Sequence, residues 1–357
     1  MIQTMHSAAT IRAIVCICVY LCSSVAYLIS FLALLPPVHA QQYPAKPIRI
    51  VVGFAAGGAS DVTARMLAPK ITALLGQPVI IENRLGSGGA IATEFVAKSA
   101  PDGYSVLLMP AADAVQPAVR RKLPYDLERD FLPVGRIVLG PWVVVVNPSV
   151  PARTAQELIA LARANPGKLN YASSGIGSSA HITTELFSSM ARIKLVHIPY
   201  KGVSDGVVAT AVGQADMIFA SYPAAQPLLQ VNKVRPLAVS ISKRWVIMPT
   251  IPTLAEAGLK EFDRSGWYGM LVPAGTPREI VARLNSAIVA IVNTPEMADT
   301  LRKQGLEPNT STPEMADTLR KQGLEPSTST PEEFGAFIRT EVAQNIRIAK
   351  DAGINVE

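Results

Sequence analysis

Short apolar runs rich in β-branched residues alternate with amphipathic stretches along most of the chain. Runs of this kind are typical of strands, and they read IRIVVGF, PVIIENR, YSVLLMP, WVVVVNP, KLNYASS, VHIPY, ADMIFAS, RPLAVSI and WYGMLVP. Between them, apolar residues recur every three or four positions, which predicts helices, in SDVTARMLAPKITALLG, TAQELIALARAN, SSAHITTELFSSMA, GVSDGVVATAVGQ and TPREIVARLNSAIVAIVN. The alternation predicts an α/β protein with largely parallel sheets.

Two irregular stretches interrupt this alternation. Asn147 to Pro151 follows a strongly apolar strand, and Met248 to Gly266 precedes WYGMLVP. Proline and glycine in such stretches mark loops. Two crossings of the chain between two lobes would fit these positions.

One segment is repeated in tandem near the C-terminus. Residues 294–311 read TPEMADTLRKQGLEPNTS, and residues 312–329 differ from them only in having Ser327 in place of Asn309. Each copy begins with Thr-Pro-Glu, which predicts a helix cap followed by proline at the first helical position, and Gly305 or Gly323 then ends the helix. A solenoid needs about three or more units, so we interpret the pair as a local duplication of one helix and its loop.

The first 40 residues form a separate region. Arg12 is their one charged residue, and the apolar run from Ala13 to Leu35 is followed by the small-residue motif Val38 to Ala40. This pattern predicts a signal peptide over residues 1–40, cleaved after Ala40; an uncleaved membrane anchor is the alternative. All three cysteines lie in this region, so the mature chain should contain no disulfide.

Composition narrows the function classes. With 357 residues, 49% of them hydrophobic and 17% charged, the chain has room for two globular domains. Its net charge of +6 is spread without long basic runs, which does not indicate nucleic-acid binding. The sequence has no P-loop ending, no G-x-G-x-x-G spacing and no metal-ligand spacing, so we expect no cofactor and no metal.

Glycines follow the first strand in IRIVVGFAAGGASD. The strand ends near Phe54, Gly57 and Gly58 follow, and Ser60 or Asp61 can cap the next helix. Such a turn presents backbone N–H groups and the positive end of a helix to a small anion; a tight turn without a ligand is the alternative. A carboxylate at Asp61 would repel an anion unless it caps its own helix or meets a cation.

Two further turns repeat this architecture. NYASSGIGSSAH places Ser173, Ser174, Gly177, Ser178 and Ser179 between a strand and a helix, and IPYKG places Tyr200 and Lys201 at a third turn. The resulting cleft is rich in donors and suits a ligand with carboxylates at both ends.

Other candidate residues have two interpretations each. Trp267 and Tyr268 could stack on a ligand, close the hinge or belong to the core. Ser178 and His181, at i and i+3 of one helix, leave a hydrolase as an alternative, although no third group is evident to orient the base.

Several segments closely resemble one family, namely KPIRIVVGFAAGGASDVTARMLAPKI, GQPVIIENRLGSGGAIATEFVAKSAPDGYSVLL, KLPYDLERDFLPV, NPSVPARTAQELIALARANPGKLNYASSG, VHIPYKG and PTIPTLAEAGL. The family is the Bug family of periplasmic solute receptors, the extracytoplasmic binding subunits of tripartite tricarboxylate transporters. The resemblance runs in order from about Tyr43 to the end of the chain, and the duplication is its one gross departure.

The resemblance implies a two-lobed type II periplasmic binding protein fold with a hinge and a ligand cleft between the lobes. Lobe 1 would comprise residues 43–147 and 266–357, including both copies of the duplicated segment, and lobe 2 residues 148–265. A monomeric periplasmic receptor, not an enzyme, would capture a small organic carboxylate (a di- or tricarboxylate, an amino acid or an aromatic acid) and deliver it to membrane permease subunits. A sensor that presents the ligand to a membrane receptor kinase is the alternative.

The resemblance also places the ligand against two loops, Phe54 to Asp61 and Ser173 to Ser179. The complete set of expected ligand-binding residues is Phe54, Ala55, Gly57, Gly58, Ala59, Asp61, Ser173, Ser174, Gly177, Ser178, Ser179, His181, Tyr200 and Lys201. Departures from the family pattern lie near this site: Ala56 and Leu85 stand where proline is usual, Ala111 to Asp113 replaces a more polar loop, and Ala220-Ser221 replaces a common Asp-Asn. The sequence therefore does not identify the carboxylate.

Overall fold

The computed structural model of the protein describes residues 43–54, 56, 59–308 and 330–354. The chain divides into two units, residues 1–45 and 46–357; of the first, residues 43–45 are described, with a cis peptide bond between Tyr43 and Pro44. The predicted signal peptide, the loop residues Ala55, Gly57 and Gly58, and the second copy of the duplicated segment lie outside the described residues. Within the described ranges, no helix combines the length and apolar character needed to cross a membrane.

The second unit contains an alternation of strands and helices. The strands are β1 (Ile48–Val52), β2 (Val79–Asn83), β3 (Ser105–Pro110), β4 (Phe131–Val146), β5 (Asn170–Ser173), β6 (Val196–Pro199), β7 (Met217–Ser221), β8 (Arg235–Val239), β9 (Ser265–Pro273) and β10 (Glu307–Pro308). The helices are α1 (Ala59–Leu75), α2 (Ala90–Ala97), α3 (Gln116–Val119), α4 (Ala155–Ala164), α5 (Ser179–Ala191), α6 (Val203–Ala211), α7 (Tyr222–Gln230), α8 (Arg278–Val292), α9 (Pro295–Lys303) and α10 (Pro331–Asp351). Within the described residues, every strand and helix predicted from the alternating pattern is present, which confirms the α/β class.

The strands join in the order β2-β1-β3-β9-β4-β7-β5-β6, with β8 and β10 also paired to β4. β1 is parallel to β2 and β3, and β5 is parallel to β6 and β7. The prediction of largely parallel sheets is wrong at the centre, where β4 and β9 run antiparallel to each other and to their neighbours. β9 therefore runs against the direction of β1 to β3, and β4 runs against the direction of β5 to β7.

Strand β4 changes partners near its middle. Its residues Phe131 to Pro141 pair with β9, whereas Trp142 to Val146 pair with β7 and β8. Two separate groups of buried residues lie on either side of this change: one includes Leu107 and Phe131, the other Phe187 and Phe219. The lobe boundaries that we predict from the sequence fall a few residues further along the chain than this change of partner.

The C-terminal helices pack against β4 and β9. Thr294 caps α9, its Oγ1 accepting a hydrogen bond from Met297 N at 3.3 Å, which confirms the predicted start of the first copy of the repeat. Thr330 and Glu333 form a reciprocal capping box at the start of α10. Helix α10 also anchors β9, because its Glu341 binds the buried Arg264 at 2.8 Å.

Candidate functional site

A cavity of about 730 Å³, which we call the cleft, is lined by residues of β3, β4 and β9 and of the loops that follow β1, β3, β5 and β6. This volume is in the range of small-molecule sites. The expected binding residues that line it are Phe54, Ala59, Ser174, Gly177, Ser178, Ser179 and Lys201. Trp267 and Tyr268 line it too.

The loops converge because β1 and β3 are adjacent and parallel, as are β5 and β6. The carboxyl ends of adjacent parallel strands meet at one edge of a sheet, and ligands bind at that edge in open α/β folds. The local sequence therefore accounts for the site. Apolar runs form the strands, and serines or glycines at their ends form the turns that line the cleft.

Asp61 does not line the cleft. It is 1% exposed, and its carboxylate accepts hydrogen bonds from Arg65 Nε at 2.8 Å and Asn83 Nδ2 at 3.0 Å. Asn83 Nδ2 also donates to Phe54 O at 2.9 Å. The Arg65 charge compensates the carboxylate, so Asp61 can hold the end of β1 in place without repelling an anion in the cleft.

The second loop is held by side chains that serve its own backbone. Ser178 caps α5, its Oγ accepting from His181 N at 3.3 Å. Ser173 is fully buried, and its Oγ bonds both the N–H and the carbonyl of Gly175 at 3.1 and 3.0 Å. Gly177 has φ of +70°, a conformation that favours glycine. These bonds fix the loop that presents Ser174 and Ser179 to the cleft.

The hydroxyl of Ser179 is a buried polar group at the start of α5. Its Oγ is buried and makes no hydrogen bond with any described residue, although Ser179 lines the cleft at the first turn of α5. A buried hydroxyl without a partner is unfavourable by about 1–3 kcal/mol. A ligand oxygen in the cleft would satisfy it.

Behind this loop, aromatic rings form a stack. The rings of His181 and His197 lie 4.0 Å apart, and that of Tyr171 lies 4.9 Å from His197. His181 Nδ1 accepts a hydrogen bond from Gly177 N at 2.9 Å, and His197 Nε2 lies 2.6 Å from Ser173 Oγ. Burial, and to a smaller extent the charge of His197, lower the pKa of His181 to about 4; burial also lowers the pKa of His197.

This arrangement corrects the hydrolase alternative. His181 uses Nδ1 to hold Gly177, and Ser178 Oγ accepts a backbone N–H of α5, so neither side chain is placed as base and nucleophile. His181 therefore supports the binding loop from behind and does not line the cleft. Ser173, which sequence reasoning did not pair with His197, is fully buried and equally unsuited to attack a substrate.

At the third turn the two expected residues separate. Tyr200 packs against the buried core around Ile218, and its N–H donates to Ser173 O at 3.0 Å. Lys201 lines the cleft and is exposed. Among the described residues, no carboxylate lies within ion-pair distance of its ammonium group.

Trp267 of β9 combines two of the roles that the sequence left open, a place in the core and a place at the cleft. Trp267 is 1% exposed and packs edge-on against Phe334, yet it also lines the cleft. Its Nε1 donates to Glu341 Oε2 at 3.2 Å. Burial raises the pKa of Tyr268 to about 12, and a hydrogen bond with the Ser60 side chain opposes this increase.

Sequence reasoning placed Ala111 near the site but missed the residues that follow it after β3. Gln116, Val119 and Arg120 line the cleft together with Ala111. One signal could have found them: β3 is a neighbour of β1 in a parallel sheet, so its following loop had to lie beside the glycine turn.

A second concavity, of about 830 Å³, lies beside α2 and the N-terminal ends of β1 and β3. Its basic side chains are already paired: Lys46 binds Asp102 at 3.1 Å and Lys98 binds Glu94 at 2.5 Å. It also lies at the opposite strand ends from the loops described above. We therefore place the candidate site in the cleft.

The fold and the cleft define a two-lobed solute-binding protein of the periplasmic type. Rpa4515 of R. palustris, solved with adipate, superposes with a TM-score of 0.74 at 32% identity, over 88% of this chain and 100% of that one. MatC of Rhodopseudomonas palustris, solved with malate, gives a TM-score of 0.71 at 28% identity, over 86% and 100%.

The family follows from the sequence comparison. The profile of the tripartite tricarboxylate transporter family receptor matches residues 63–312. BugT of Bordetella pertussis is 37% identical over 274 residues, which cover 76% of this chain and 84% of BugT. The chain belongs to the tripartite tricarboxylate transporter receptor family, as the Bug resemblance implied. It is therefore a solute-binding receptor and not an enzyme.

Proposed function

We propose that the protein is an exported receptor that binds a small organic carboxylate in the cleft and delivers it to the permease subunits of a tripartite tricarboxylate-type transporter. The observation that carries the proposal is the unpartnered Ser179 Oγ at the start of α5. A carboxylate there would accept its hydrogen bond and meet the positive end of the helix.

The charges of the cleft support the same ligand class. Arg120 and Lys201 line it, and no acidic residue does among the described part of the chain. The bound adipate and malate of the two relatives are carboxylates of this kind. The loop residues Ala55, Gly57 and Gly58 remain part of the proposed site because of the family resemblance. The proposed periplasmic location rests on the same resemblance.

A thermal-shift screen against mono-, di- and tricarboxylates, amino acids and aromatic acids tests the proposal. A ligand at a hundredfold excess over its dissociation constant stabilises the folded protein by about 2.7 kcal/mol, which gives a visible shift. Ser179→Ala should weaken binding of any hit by roughly tenfold. Ser189→Ala is the matched control, because Ser189 lies on the same helix, is exposed and does not line the cleft.

Two outcomes would count against the proposal. One is the absence of any carboxylate hit in a protein that melts cooperatively. The other is equal binding by the Ser179 and Ser189 variants, which would place the ligand elsewhere. Delivery to a permease is tested separately, by uptake of the identified ligand in cells with and without this receptor; uptake that is unchanged would favour the sensor alternative.

A further inference from the structure

Arg120 lies in the cleft with its side chain held in place by neutral groups. It follows directly after the short helix α3, and its Nε donates to Gln116 Oε1 at 2.7 Å. Its Nη2 donates to the backbone carbonyl of Ser87 at 3.2 Å. Gln116 is 7% exposed, so this support is itself fixed in the fold. The guanidinium group is therefore oriented before any ligand arrives.

The charge of this guanidinium has no acidic partner in the described part of the chain, because no carboxylate there forms an ion pair with Arg120. Arginine presents a planar set of donors that matches a carboxylate, and two of its donor nitrogens are already committed to Gln116 and Ser87. The remaining nitrogen and the positive charge are free to act on an anion in the cleft.

Two cations from different parts of the chain share this cleft. Arg120 comes from the loop after β3, and Lys201 comes from the loop after β6. A ligand with one carboxylate can compensate only one of the two charges. A ligand with two acid groups compensates both, and the half-buried charge of Arg120 is unfavourable when it is left uncompensated.

The wall between the polar groups is largely apolar. Phe54, Val119, Trp142, Ile176 and Trp267 all line the cleft. Such a wall favours the burial of hydrocarbon and offers no partners for hydroxyl groups.

We propose that Arg120 binds a second anionic group of the ligand, so that the cleft selects organic diacids with an apolar body over the corresponding monoacids. This inference rests on the proposed carboxylate-receptor function and adds to it a specificity-determining residue.

Isothermal titration calorimetry on matched ligand pairs tests the inference. The straight-chain diacids from succinate to suberate, and terephthalate, are each compared with the monoacid of equal carbon skeleton, such as hexanoate for adipate. The wild-type protein should bind at least one diacid tenfold or more tightly than its monoacid. Arg120→Gln should weaken that diacid about 10- to 100-fold and change the monoacid less than threefold. Arg120→Lys, which keeps the charge but loses the planar donors, should fall in between.

Arg121→Gln is the matched control. Arg121 carries the same charge at the next position, is exposed and does not line the cleft, so this variant should keep both affinities. Thermal melting of each variant checks that it is folded. A wild-type protein without diacid preference, or an Arg120→Gln protein that keeps it, overturns the inference. If monoacids still bind in those cases, the carboxylate-receptor function stands; if no carboxylate binds at all, both proposals fall.

Discussion

Replacing His181 by asparagine should remove a large part of the acid sensitivity of this fold. The histidine is 6% exposed and accepts the N–H of Gly177 through Nδ1. Protonation would convert this acceptor into a donor and place a positive charge against the ring of His197, 4.0 Å away. Asparagine carries an acceptor oxygen one bond beyond Cγ, as histidine does with Nδ1, and it does not titrate.

The magnitude follows from the lowered pKa of His181. Burial and His197 lower it from 6.5 to about 4, and each unit corresponds to 1.36 kcal/mol, which gives about 3 kcal/mol. Between pH 6.5 and about 4 the unfolded chain binds a proton that the native protein does not. The contribution of His181 to the free energy of unfolding is therefore fully present above pH 6.5 and is lost as the pH falls through about 4.

Urea unfolding monitored by tryptophan fluorescence, at several pH values between 7.5 and 4, measures this effect. The difference between wild type and His181→Asn isolates the histidine, since all other titrating groups are common to both proteins. This difference in the free energy of unfolding should change by about 3 kcal/mol in favour of the variant as the pH falls. Parallel curves, with a difference constant to about 0.5 kcal/mol, would refute the reasoning.

His197→Gln offers a second check on the cause. It removes the smaller of the two influences on His181 and leaves its burial in place. The pKa of His181, followed by NMR titration, should therefore rise towards its ordinary value, and less of the free energy of unfolding should be lost as the pH falls to about 4. An unchanged pKa of His181 in the variant would show that His197 does not repel the protonated ring.

Three further substitutions test the framework around the site, each by urea unfolding. Gly177→Ala should destabilise by about 1–2 kcal/mol, because φ is +70° and the added Cβ would lie 2.9 Å from Val119 Cγ2; the loss should be smaller in a Val119→Ala background. Glu341→Gln should destabilise by about 3–5 kcal/mol, because it leaves the buried charge of Arg264 without its partner, and a loss below about 1 kcal/mol would contradict that account. Thr330→Ala should lose about 1 kcal/mol by removing the capping box, whereas an unchanged midpoint would show that the cap is not needed.

The strands were predictable where their signal is local. β1, β3 and β7 are continuous β-branched or apolar runs, and the structure places them within a few residues of the prediction. The first half of β4 was missed because Pro133, Gly135 and Gly140 interrupt its pattern and bulges shift its register. Helix α7 was missed because it contains Pro223 and Pro227. The direction of β4 and β9 depends on pairing across the sheet and leaves no trace in either strand.

The site was predictable in its backbone and less so in its side chains. Serines and glycines at strand ends predict the loops from local sequence alone, independently of the rest of the chain. Whether Asp61 faces the cleft or turns away depends on Asn83, which belongs to another strand. The stack behind the second loop likewise depends on β5 and β6 being paired with Tyr171 opposite His197. Arg120 escaped notice because Ser87, which helps to orient it, lies far away in the sequence.

The shared strand β4 also bears on the order in which the chain can fold. Its first half pairs with β9, which lies far downstream, as in the pairs Phe131 with Pro273 and Pro141 with Ser265. β3 also pairs with β9. During synthesis, the part of the sheet that contains β1, β2 and β3 therefore stays incomplete until most of the chain has left the ribosome. Such long-range pairing slows folding. In the exported receptor that we propose, this delay would keep the chain unfolded while it is moved across a membrane.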